Sequence, residues 1–150
     1  MTEHVTGLSK ADPLLPTDHV VRYCNPRTVQ YKRITPASFE LRKPETYLSV
    51  NHLEHFCLGI GSNAVAEVRK AYRQKNFSLR QNGRFARLNV GAVIDRVQAA
   101  DGKSLRVLKL PEPPDDSHCG ICGYGVDDMH VRQALVMLIT PSDIFPGAEP

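Results

Sequence analysis

No apolar run in the 150-residue chain approaches the roughly 20 residues a membrane-crossing helix requires, which excludes a helical membrane protein. The opening stretch MTEHVTGLSKADPLLPTDHV has neither the basic start nor the apolar centre of a secretory signal. A soluble, cytoplasmic protein of bacterial type with no membrane partner is therefore expected. Cysteine is scarce: Cys24, Cys57, Cys119 and Cys122 are four thiols that a reducing compartment would keep free or metal-bound. Acidic residues are missing between Arg69 and Arg87, and after Lys109 the only basic residue is Arg132.

That last pair of absences gives the chain its charge pattern. Net charge is only +3, but Arg69, Lys70, Arg73, Lys75, Arg80, Arg84 and Arg87 form an uninterrupted basic run. Glu112, Asp115, Asp116, Asp127, Asp128, Asp143 and Glu149 make the C-terminal part acidic. A basic middle can offer a face to phosphates or to an acidic protein partner.

The chain has the size of one domain. Residues 1–16 are polar and broken by Gly7, Pro13 and Pro16, and are expected to be a flexible arm; 17–140 form a single globular domain, and 141–150 a tail. HVVRYC, ASFELR and TYLSVN are predicted strands. NHLEHFCLGI places Leu53, Phe56, Cys57 and Ile60 at helical spacing behind an Asn51 cap, and AVAEVRKAYRQK forms a clearer helix after Ser62 or Asn63. Alternation at Ala86, Leu88, Val90, Ala92 and Ile94 predicts a strand, which Asp101-Gly102 would turn back into SLRVLKL as a hairpin. DMHVRQALVMLI is the last predicted helix. The fold class expected is α+β, with a small, mostly antiparallel sheet and two or three helices.

DDSHCGICGYG gathers His118, Cys119 and Cys122 among glycines. One reading is a glycine-rich turn whose thiols fill space. A second is zinc held by His118, Cys119 and Cys122 with a distant fourth ligand such as His52 or Cys57, since imidazole and thiolate are the usual zinc ligands. A third is a redox pair. His52-Leu53-Glu54 followed by Cys119-x-x-Cys122 also resembles the motifs of zinc-dependent deaminases, in which a histidine and two thiolates hold the ion and a glutamate moves protons. Here His118 stands where that pattern has proline, and only one helix and a tail follow.

Across most of the chain, DHVVRYCNPRTV, ASFELR, YLSVNHLEHF and DDSHCGICG resemble a group of uncharacterised bacterial proteins. The matching positions are His19, Arg22, Phe39, Arg42, Ser49, Asn51, Glu54, Ser117, His118 and Gly120. The resemblance implies no activity, and the group's pattern has tryptophan at the position of His52 and alanine at that of Cys119.

The same positions resemble ADP-ribosyltransferase folds. That resemblance implies His19 or Arg22 on the first strand holding a dinucleotide, Ser49 orienting a later strand, and Glu54 or Glu112 stabilising oxocarbenium character. His118 is singled out in every reading, and the catalytic set, if the chain is an enzyme, is Glu54, His118, Arg22 and Ser49.

The first expectation is a small accessory or binding protein that engages nucleic acid or an acidic protein partner through the basic run and requires no cofactor. An NAD-using ADP-ribosyltransferase-like enzyme and a zinc-binding, deaminase-like protein are the alternatives.

Overall fold

The computed structural model describes residues 11–148. Among these residues, three α-helices accompany a six-stranded sheet and a two-stranded ribbon, an α+β architecture. The strands are β1 (His19–Cys24), β2 (Val29–Gln30), β3 (Arg33–Ile34), β4 (Tyr47–His52), β5 (Arg84–Asn89), β6 (Arg106–Lys109), β7 (His118–Cys122) and β8 (Ile144–Pro146). The helices are α1 (Ser62–Gln74), α2 (Val90–Asp101) and α3 (Met129–Val136). The main sheet runs β6-β7-β4-β1-β5-β8, with every neighbouring pair antiparallel. No helix among the described residues is long and apolar enough to cross a membrane.

β1 lies inside the sheet and buries both faces, so its apolar residues serve two cores. Val21 and Tyr23 join Phe85, Leu53 and the α1 residues Ala64, Val65, Val68 and Tyr72. Val20 and Cys24 turn the other way, towards Leu48, Val50, Leu88, Ile121, α2 (Val93, Val97) and α3 (Val131, Leu135). Strand alternation thus distributes one helix to one face and two to the other.

Several local expectations change once the chain is folded. The alternating stretch from Ala86 is a strand only as far as Asn89. There Asn89 Oδ1 accepts the Ala92 amide at 2.9 Å and starts α2, while its Nδ2 donates to the Pro16 and Asp18 carbonyls. Val90, Val93 and Val97 satisfy a helical spacing that the strand period partly shares, so the period alone was ambiguous. Gly102, at φ 77, is the C-cap of α2 rather than a hairpin turn, and β6 pairs with β7 instead of β5. NHLEHFCLGI finishes β4 and then makes one 3-10 turn, Glu54–Phe56, which Cys57 ends in the left-handed region at φ 55. ASFELR forms a 3-10 turn, Pro36–Phe39, that buries Phe39 ahead of Leu41.

The glycine-rich stretch is itself a strand, β7. A Cβ on Gly120 would come within 2.8 Å of both Leu110 and Tyr47, so this glycine answers close packing across the sheet and not a bend. Of the expected arm, residues 1–10 lie outside the described residues, whereas Leu14 is buried and donates to the Val107 carbonyl at 2.9 Å, beside β6. The expected tail contributes β8, which pairs with β5.

Asn89 marks the change from strand to helix and holds the segment entering β1. Asn89→Ala is expected to lower stability by about 2 kcal/mol, read as a lower urea midpoint with unchanged m.

Candidate active-site cleft

β1 and β4 pair over only two positions, Val20 with His52 and Val21 with Asn51, whereas β1 and β5 pair over six. Beyond Val21 the side chain of Arg22 enters the gap. Its Nε donates to the Ser38 carbonyl at 2.9 Å and its Nη1 to the Ser49 carbonyl at 3.0 Å. The guanidinium takes the place of a ladder bond at the Ser49 carbonyl, ties the Pro36–Phe39 turn to β1 through Ser38, and lines a cleft of about 460 Å³.

Ser49 and His118 reach this cleft from adjacent strands, β4 and β7. His118 is 3% exposed. Its Nδ1 lies 2.7 Å from the Leu110 carbonyl, which can only accept, so Nδ1 carries the proton and donates. In the neutral ring Nε2 then bears the lone pair, and the Ser49 hydroxyl, 3.1 Å away, donates to it. Tyr47 packs edge-on against the imidazole.

Glu112 approaches from the loop before β7, with Oε2 3.9 Å from His118 Nε2 and Oε1 3.3 Å from Lys75 Nζ. Lys75, just past α1, also pairs with Asp115 at 2.9 Å. Asp115 is 1% exposed and accepts from Asn51 Nδ2 and Ser117 Oγ as well. Burial pushes its carboxyl up, but the bonds from Lys75, Asn51 and Ser117 outweigh that and hold it below the usual carboxylate range. Tyr23, Tyr72 and Phe77 stack edge-to-face on one wall, and Phe77 keeps 46% of its surface exposed. Arg42, Glu40 and Glu45 complete a lining that carries both signs of charge.

Arg22, Ser49 and His118 therefore converge, while Glu54 does not. Glu54 accepts the His19 amide at 2.8 Å and faces His19 Nδ1 at 2.7 Å, outside the cleft lining. Of the acidic groups that line the cleft, Glu112 is the one beside His118.

The four expected metal ligands do not meet. Alternation along β7 sends Cys119 to the face opposite His118 and Cys122, and C-x-x-C spacing within a strand always divides its thiols in this way. Burial raises Cys119 to about 12 and Cys24 to about 11, and also raises Cys122, so these thiols stay protonated at neutral pH.

The basic run does not assemble into one face. Arg69 is buried and donates to the Pro146 carbonyl, Arg84 donates to the Gln81 and Gly83 carbonyls, and Arg87 pairs with Asp143 and donates to the Ile60 carbonyl. Lys75 turns into the cleft, Lys70 is exposed and pairs with Glu67, and Arg73 and Arg80 are exposed.

Sequence reasoning missed the Asn51–Asp115–Ser117 group that steers Lys75. Two of its members, Asn51 and Ser117, stand among the positions that carry the resemblance to the group of bacterial proteins, and that was the available signal. Compared with protein-family models, with curated proteins and with solved structures, the chain matches none.

Two measurements test this description. A thiol reagent at neutral pH is expected to titrate one cysteine rapidly, the exposed Cys57, and all four after unfolding; Cys57→Ser should remove the fast phase. Asp115→Asn should cost about 3 kcal/mol at pH 7 because it leaves Lys75 without its buried partner. Since the native Asp115 carboxyl titrates below its ordinary value of 3.8, its contribution is complete above that pH and is lost as pH falls through the native value. Urea midpoints should accordingly fall less steeply below pH 4 in the variant than in the wild type.

Proposed function

We propose that this chain is an ADP-ribosyltransferase-like enzyme that binds NAD in the Arg22 cleft and breaks its N-glycosidic bond. The observation that carries the reading is convergence: Arg22, Ser49, His118 and Glu112, brought from three strands and a loop, line one cleft. The chemistry of NAD suits that lining. Its pyrophosphate is anionic and its nicotinamide ring cationic, and the cleft offers Arg22 and Arg42 alongside Glu45 and Glu112. Arg22 spends Nε and Nη1 on backbone carbonyls, which leaves Nη2 to a phosphate oxygen. Phe77 supplies an exposed ring on which a base can stack.

In the reaction the C1′–N bond breaks, and its electron pair leaves with nicotinamide, which becomes neutral. The ribosyl C1′ takes on positive charge, which the Glu112 carboxylate stabilises. An acceptor hydroxyl, water in the simplest case, bonds to C1′ and gives its proton to Glu112. The Ser49–His118 hydrogen bond fixes the β4 and β7 side chains that face the ribose.

Incubation of the purified chain with NAD, followed by chromatography of released nicotinamide, tests the reading. Glu112→Gln is expected to lower kcat about 100-fold while NAD affinity is retained. A folded wild-type protein that neither binds nor splits NAD would overturn it.

A further inference from the structure

At the opposite end of β1 and β4 from the cleft, Asp18, His52 and Glu54 form a second cluster, and none of them lines the cleft. His52 Nε2 is buried and makes no hydrogen bond, although it lies 3.3 Å from Asp18 Oδ1 and 3.7 Å from Glu54 Oε1. A charge-assisted pair in direct contact would close to about 2.7–2.9 Å. The observed separations are instead those of donors around an ion, because two ligands about 2.05 Å from a tetrahedral centre stand about 3.3 Å apart. All three ligand atoms lie within 4.8 Å of one another.

The remaining contacts aim the carboxylates. Asp18 Oδ2 accepts the Leu15 amide at 2.8 Å, Glu54 Oε1 accepts the His19 amide at 2.8 Å, and Glu54 Oε2 faces His19 Nδ1 at 2.7 Å. A neutral imidazole with two carboxylates carries a charge of −2, which a divalent ion neutralises. Side-chain exposures of 14%, 12% and 31% for Asp18, His52 and Glu54 leave room for an ion and a water to enter. An imidazole with two carboxylates suits Zn²⁺, whereas Mg²⁺ and Ca²⁺ favour all-oxygen shells.

The geometry points to a binding site for one Zn²⁺-class divalent ion, held by His52 Nε2, Asp18 Oδ1 and Glu54 Oε1, with a fourth position for water. His19 acts from outside by orienting Glu54. The ion joins the residue before β1 to the end of β4 and so clamps the two neighbours whose ladder is shortest within the six-stranded sheet. This inference is independent of NAD chemistry, since the two sites share no residue.

The test is calorimetric titration of the full, chelator-stripped chain with ZnCl2 alone, in the Cys57→Ser background, together with thermal melting. One equivalent is expected to bind and, at about 100-fold excess over Kd, to raise Tm by about 5 °C or more. His52→Gln and Glu54→Gln should each weaken binding about 100-fold or more, and His19→Gln about 10-fold. Circular dichroism checks folding, and if His52→Gln does not fold, Asp18→Asn is held to the same criterion. Absence of binding by the folded chain overturns the assignment, as does a one-equivalent isotherm that these substitutions leave unchanged.

Discussion

The guanidinium of Arg22 sits where β1 and β4 would otherwise continue to pair. A strand that parts from its neighbour inside a sheet leaves carbonyls facing a gap, and each is costly unless something donates to it. Arg22 donates to Ser49 and Ser38 with two nitrogens of one rigid plane, which holds β4 and the Pro36–Phe39 turn at a set distance from β1. Lysine would bring one compact ammonium where two separated acceptors must be met. The opening of the cleft and the presentation of Ser49 both follow from this one side chain.

The layers of the fold decide which part of the sheet stays open. α1 packs over Val21, Tyr23 and Phe85, while Ser49, His118 and Gly120 lie on the same face further towards β6. Gly120, paired with Ser49, admits the Tyr47 and Leu110 side chains where any Cβ would collide. Lys75 and Phe77, just beyond the end of α1, form the wall between the covered and open parts. Burying Asp115 beneath Lys75 is tolerable because Asn51 and Ser117 also donate to that carboxylate, so the ammonium is held in place.

How much could be read in advance depended on whether one local pattern had one solution. HVVRYC and TYLSVN read as strands and AVAEVRKAYRQK as a helix, and all three fold that way. Residues 86–94 fitted two periods, and the side-chain cap at Asn89 resolved them in favour of a helix. The cysteine pair looked like a site because its spacing suits a turn; within a strand the same spacing points the thiols apart. The basic run looked like a surface because charge was counted along the chain, whereas Arg69, Arg84 and Arg87 turn to backbone carbonyls and Asp143.

By itself, then, the sequence determined the α+β class, the strands β1 and β4, the helix at Ser62 and the choice of Arg22, Ser49 and His118 as candidates, because hydrophobic period and unusual polar residues within apolar strands are local properties. Only the tertiary structure decided that Glu112 rather than Glu54 stands beside His118, that Asp18 and Glu54 flank His52, and that the thiols and arginines scatter. Those outcomes depend on strand order and register, which bring together residues dozens of positions apart and which no short window of sequence encodes.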